Sequence, residues 1–360
     1  MKRFVQTLAG LAISGAALGL TLRGKHLDRI WSEMLNADYR WLWPYLGILT
    51  VIHLVRTVRW GILLEPVAKI PFSKLNAISA VGIMALVILP FRLGEFARPY
   101  LVAERPRIRV SAALSSVVVE RVADGLFTAV LLICTLLAVP EGTRGLHAFR
   151  LAGVVVFAAF AALLAFLVLA YKNRPRAVRL THRLLDPISP RAAERAAGMM
   201  DAFIHGLRLV PSPRKVALFF ALTFLYWAVN GFGIQIFARS FGFELGLLDA
   251  FTVLGVLVVG IMIPAGPGNV GTFQAAVAGG LSLFVAGAGD RAFAFANVLW
   301  LVQLGQQVLF GLAFLFSRHI QLARIFEAPS EVEEELEHEE EEYRREETAA
   351  RGKAATRQGN

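Results

Sequence analysis

A single cysteine and seven histidines are all that this 360-residue sequence offers as soft ligands. Cys134 lies within an apolar run, so an intrachain disulfide and a cysteine-based metal site are both excluded. The histidines show no HExxH or clustered spacing, and no GxxxxGK[ST] phosphate loop occurs. These absences argue against a metalloenzyme and an ATP-driven pump, and no metal or cofactor is expected. Charge is scarce too, at 18% of residues, against about 25% in an ordinary soluble domain. The remainder is strongly apolar, with 56% hydrophobic residues and a mean hydropathy of +0.58. Repeated apolar runs of about eighteen residues or more are long enough to cross a bilayer. The expected class is therefore all-α, a polytopic helical membrane protein.

Net charge is +10, unevenly spread. Residues 331–360 hold eleven Glu and five Lys/Arg, a net of −6, so residues 1–330 carry +16. That excess suits anionic lipid head groups or cytoplasmic loops, and nucleic acid is not an expected partner. The end of the chain has helix-forming composition and no apolar face. Residues 321–360 are expected to form a charged, solvated or disordered cytoplasmic tail.

Charges within the apolar part concentrate in Ile88–Asp124, ILPFRLGEFARPYLVAERPRIRVSAALSSVVVERVAD. Arg92, Glu95 and Arg98 recur every three residues, where Pro90 and Gly94 interrupt the apolar run. Glu120, Arg121 and Asp124 follow on a helix expected over 111–139. Glu120 and Asp124 share a face at i,i+4, and Arg121 lies one turn from Asp124. On insertion scales each charge at a helix centre costs roughly 2.5–3.5 kcal/mol. Such groups must face protein, water or a polar ligand. They either pair to stitch helices together or line a binding site.

A second interruption lies in Leu247–Asp290, where two apolar arms flank Pro264-Ala-Gly-Pro267-Gly268-Asn-Val-Gly271-Thr272. Proline and glycine at this density end one helix and expose N–H groups at the start of the next. A helix beginning near Gly271–Thr272 would favour an anion such as phosphate; a tight turn outside the membrane is the alternative. The uninterrupted runs are Phe4–Leu22, Trp41–Leu64, 111–139, Leu151–Tyr171, Val216–Phe237 and Arg291–Phe316. Arg56 and Arg59 in the second of these either snorkel to the interface or point into a polar cavity. The last run bears Asn297, Gln303, Gln306 and Gln307, more amides than a lipid-facing helix needs. The arginine-rich segment 172–215 has helical periodicity over Pro190–Leu209, as an amphipathic helix on the cytoplasmic surface would.

The positive-inside rule places Lys2-Arg3, the 104–109 connection and the 172–215 loop in the cytoplasm. These assignments agree if residues 76–101 enter and leave on one side. The architecture expected is six spanning helices plus two re-entrant helical hairpins in an inverted 4+4 repeat. Its halves are about 1–140 and 150–317 of a transmembrane domain over 1–320. Both termini are then cytoplasmic in a bacterial-type inner (plasma) membrane. Interrupted segments at matching positions of inverted halves point to a transport site at the midplane.

At these residues the chain resembles the lysylphosphatidylglycerol synthase transmembrane region family of flippase-like membrane proteins, over roughly residues 5–320. The resemblance rests on Pro90, Arg92, Gly94, Glu95 and Arg98; on Glu120, Arg121 and Asp124; and on Pro264, Pro267, Gly268, Gly271 and Thr272. Gln274 stands where family members commonly carry an acidic residue. Bifunctional members add a soluble aminoacyl-transferase domain. Only 43 residues follow Ser317, so lipid aminoacylation is not expected of this chain. What the resemblance implies is a non-enzymatic lipid flippase or transporter moving a polar-headed (phospho)lipid or lipid-linked precursor between leaflets. Membrane lipids with anionic or phosphate-bearing head groups are the expected partners. Arg92 and Arg98 would bind the phosphate; Glu95, Glu120 and Asp124 would hold those arginines, bind a cationic head group or carry a proton; and the Gly271–Thr272 helix start would form the facing wall. The rival reading is a non-transporting accessory subunit for a glycosyltransferase or lipid-modifying enzyme. Acid–base catalysis by Glu120 and Asp124 is disfavoured, because no nucleophile or metal cluster accompanies them.

Overall fold

A computed structural model describes residues 12, 15–19, 21–89, 94–103, 108–143, 145–187, 212–263, 266–287 and 289–318, with isolated positions at 193, 197 and 204 and seven between 331 and 339. Among these there is no strand. The helices are α1 (Leu27–Leu35), α2 (Leu42–Leu64), α3 (Phe72–Ile88), α4 (Ala97–Ala103), α5 (Val110–Leu137), α6 (Leu146–Lys172), α7 (Arg174–Leu185), α8 (Pro213–Ala238), α9 (Leu247–Ile261), α10 (Thr272–Leu281) and α11 (Gly289–Arg318).

Four of them, α2, α6, α8 and α11, are long and apolar enough to cross a membrane. The chain is thus a multi-pass helical membrane protein. The 28 residues of α5 give it the length as well, but Glu120, Arg121 and Asp124 make it too charged to face lipid. The shorter apolar helices α3 and α9 each lead into a break and then a short helix, α4 or α10. The expected helix over Phe4–Leu22 is described only at residue 12 and from 15 to 22, where the described positions are helical. Most of Pro190–Leu209 lies outside the described residues, while the polar segment before it holds α7.

Burial separates helices that face lipid from those that face protein. Only 11% of the apolar stretch of α6 is buried, and side chains such as Leu151, Val155 and Leu169 point outward. With no water to drive association in a bilayer, outward Leu and Val are at home there. By contrast α3 buries every position from Leu75 to Ala85 but Asn76, among them Val81, Met84 and Ala85. It packs between α2, α4 and α11, while α9 packs on α5, α8 and α10; α2 lies against α8. Two apolar cores result. One joins α3, α4 and the first turns of α5 to Leu315 of α11; the other joins α8 to α11 with Tyr45, Leu132 and Leu136.

On α1 an apolar stripe is left uncovered. Leu27, Trp31 and Leu35 recur every four residues and are exposed, while Ile30 is buried. With exposed Trp43 at the start of α2 they form an anchor of the kind that sits at a membrane–water interface.

The tail departs from expectation at the positions described. Residues 331, 332, 334–336, 338 and 339 are helical, and Val332 and Leu336 are buried in the core beside α4 and α5. The expectation of a solvated tail does not hold at Val332, Leu336 and Glu339, whereas Glu334, Glu335 and His338 are exposed. Two apolar residues four apart suffice to make a one-sided helix among glutamates.

Candidate functional site

Two ion pairs lie buried between the helices. Arg59 on α2, 0% exposed, donates to Asp124 on α5 at 2.6 Å, and Trp227 Nε1 on α8 donates to the same oxygen at 3.3 Å. Arg98 on α4 donates to Glu120 on α5 at 2.8 Å. The second oxygen of Glu120 lies 3.8 Å from Arg121. Several guanidinium nitrogens of Arg59 and Arg98 have no hydrogen-bond partner among the described residues. Aromatic faces cover them instead. Arg98 lies 4.1 Å from the Trp60 ring centre, and Arg59 lies 4.9 Å from Tyr226 and 5.2 Å from Phe219. Such contacts are attractive in a desolvated setting.

This pattern corrects the sequence reading in two respects. Arg121 was expected to pair with Asp124, but the helix carries Arg121 toward Glu120, and Asp124 is taken by Arg59. Arg98 was expected to grip a phosphate. It is instead enclosed by Glu120 and Trp60, with its stem against Gly82, where an added Cβ would meet Arg98 Cγ at 2.3 Å. Glu120 holds Arg98, one of the three roles that the resemblance allows it. Arg92 and Pro264 lie outside the described residues.

Beside these pairs a cavity of about 750 Å3 opens among α2, α3, α5, α6, α8, α9 and α11. Most of its wall is apolar, as is typical of pockets that enclose a ligand. The charged groups on it are Arg56, Glu95, Arg121 and Asp124, and the amides are Asn230, Asn269, Gln303, Gln306 and Gln307. Arg56 is half-buried and has no ion pair among the described residues. Arg121 keeps 24% of its side chain exposed. Four guanidiniums, of Arg56, Arg59, Arg98 and Arg121, therefore meet three described carboxylates, and the surplus faces the cavity. Arg56 is the functional candidate that the motifs missed. Its signal was a cationic residue in the last third of an apolar helix, which snorkelling explains equally well.

The second break reaches the cavity through Gly268 and Asn269, in a short turn over Pro267–Asn269 held by Trp300 Nε1 donating to the Gly268 carbonyl at 2.7 Å. Gly271 and Thr272 do not line it. Gln274 Oε1 accepts from the Gly271 N–H at 2.7 Å, and the Thr272 hydroxyl donates to the Asn269 carbonyl at 3.0 Å. The helix start that was expected to receive an anion is thus capped by the chain's own glutamine. Gly94 closes the turn before α4, where a Cβ would meet the Ala85 carbonyl carbon at 2.2 Å. Gly94, Pro267, Gly271 and Thr272 shape the two breaks, and Glu95, Arg121, Asp124 and Gly268 line the cavity.

Gly271 has φ +85°, a conformation that side chains with a Cβ rarely adopt. Gly271→Val should lower stability by roughly 1–3 kcal/mol, read from thermal melting in detergent. Gly305→Ala, whose Cβ would meet nothing within 4 Å, should leave the midpoint unchanged or raise it. Equal effects of the two would remove the strain argument.

The family model described as lysylphosphatidylglycerol synthase TM region covers residues 7–327. No curated protein matches the chain.

Proposed function

The chain belongs to the lysylphosphatidylglycerol synthase TM region family, a membership that makes it a membrane protein of lipid metabolism or transport, and from this and the charged cavity we propose that it moves a lipid with a phosphate-bearing head between leaflets. The observation that carries the proposal is the surplus guanidinium of Arg56 on the wall of an otherwise apolar cavity. An unpaired charge among apolar helices is costly unless something polar meets it. A phosphate head with acyl chains supplies both the anion and the apolar body. Arg56 and Arg121 are the donors for the phosphate, and the glutamines of α11 hydrogen-bond the rest of the head. Glu120 and Asp124 are already held by Arg98 and Arg59, which leaves them poorly placed for proton transfer and favours transport over enzymatic chemistry.

The packing supports an inverted repeat of two halves. Exchanging α2 with α8, α3 with α9, α4 with α10 and α5 with α11 maps the contact of α3 on α11 onto that of α9 on α5. It likewise maps α4 on α5 onto α10 on α11, and α2 on α8 onto itself. In this reading α3–α4 and α9–α10 are re-entrant hairpins entering from opposite faces of an inner membrane. The start of α5 and both termini then face the cytoplasm. In a Cys134→Ser background, single cysteines at Ala103 and Arg179 should resist membrane-impermeant thiol reagents in intact cells. Labelling at position 103 from outside would remove the re-entrant assignment.

Transport itself is tested in vesicles reconstituted with the purified protein and a trace of fluorescent phosphatidylglycerol, followed by external quenching of the fluorophore. Protein-containing vesicles should lose more than the outer-leaflet signal. If neither this probe nor labelled lipids from the native extract cross, an accessory role beside a lipid-modifying enzyme becomes the better reading.

A further inference from the structure

The transport reading leaves one contact without a role. At the start of α5, Glu339 accepts hydrogen bonds from the Val110 N–H at 2.7 Å and from the Ser111 hydroxyl at 2.5 Å. Arg109, the residue preceding this helix, contributes no side-chain cap of its own. A carboxylate is the group that a helix start favours, and here it arrives from 229 residues along the chain. Val332 and Leu336 pin the same segment into a core shared with Leu101 of α4, Ala113 of α5 and Leu315 of α11.

The joint has the marks of one that can open. Glu334, Glu335 and His338 are exposed, so among the described residues two apolar side chains and one carboxylate do the anchoring. Burial pushes the Glu339 carboxyl above its ordinary value despite the lowering effect of Ser111 and Val110, so desolvation outweighs the hydrogen-bond gain of the ionised form. Contacts with so few anchors fall at the low-stability end of a structure. The joint also spans both halves of the transporter, because α4 and α5 belong to one and α11 to the other. Rocking of one half against the other strains any contact that bridges them.

We propose that the tail residues Val332, Leu336 and Glu339 form an autoinhibitory latch: docked, they tie α4 and α5 to α11 and hold that end of the cavity shut, and detached, they let the first hairpin move. The inference rests on the transport reading of the preceding subsection.

Its test uses the full chain with Cys134→Ser, Ser111→Cys and Glu339→Cys, in the vesicle assay with labelled phosphatidylglycerol. Reduced, this protein lacks the carboxylate cap and should move lipid. Oxidised to a disulfide, or joined by a short bismaleimide, it should move lipid at least about tenfold more slowly, the effect of about 1.4 kcal/mol. Leu336→Glu, which expels the tail from the core it shares with Leu101, Ala113 and Leu315, should move lipid faster than the unaltered chain. The latch is overturned if the pair links without slowing transfer, if it refuses to link, or if Leu336→Glu is no faster. If no form moves lipid, reduced or linked, the transport reading fails and the latch goes with it.

Discussion

Glu120→Leu should be among the most destabilising single changes in the chain, with Arg98→Met close behind. The pair is fully enclosed: Glu120 is 0% exposed and Arg98 3%. Removing the carboxylate strands Arg98 and weakens the hold on Arg121, whose nearest recorded ion pair is to Glu120. Removing the arginine leaves Glu120 with a guanidinium 3.8 Å away, which lessens the loss. Breaking a buried pair from one side costs roughly 3–5 kcal/mol. The double variant Arg98→Met/Glu120→Leu should therefore cost clearly less than the sum of the two, since neither charge is then left alone. Thermal melting of the four proteins in one detergent gives the cycle. Strict additivity would mean that the two groups do not interact. The pair of Arg59 and Asp124 should behave alike.

Arg56→Gln should do the opposite, sparing the fold and sharply slowing transport. Arg56 holds no partner in the described structure, so its loss strands nothing, and a change of this kind usually stays within about 0.5 kcal/mol. A hydrogen bond from a charged donor contributes about 1.5–3 kcal/mol, so lipid transfer should fall roughly ten- to a hundredfold. Arg56→Lys keeps the charge but loses the planar fork that grips two phosphate oxygens, and should retain intermediate transfer. Transfer by Arg56→Gln at the unaltered rate would show that the phosphate is bound elsewhere.

The contrast between Arg56 and Arg98 marks where reading the sequence stops. Hydropathy runs and the Pro/Gly breaks are local signals, and they located α2, α5, α8 and α11 to within a few residues. The two interruptions were legible for the same reason. Which arginine meets which carboxylate is a long-range matter. Arg59 and Asp124 are 65 residues apart in sequence, and i,i+3 spacing alone favoured the wrong partner for Asp124. Arg98 sits in a conspicuous motif yet is enclosed, while Arg56 sits outside it and faces the cavity. The tail misled through composition, because its glutamates concealed the spacing of Val332 and Leu336.

The length of α5 carries a consequence for the membrane around it. Its 28 residues extend about 42 Å at 1.5 Å per residue, against a hydrocarbon thickness of about 30 Å. Tilt alone would have to reach about 45° to hide the excess, beyond the roughly 40° that helices adopt. Part of α5 must then emerge, and its first turn is the part that Glu339, Val332 and Leu336 cover. A thicker bilayer would draw that turn, and Glu339 with it, toward the hydrocarbon. The thickness of the surrounding lipid thus bears directly on how firmly the tail is held.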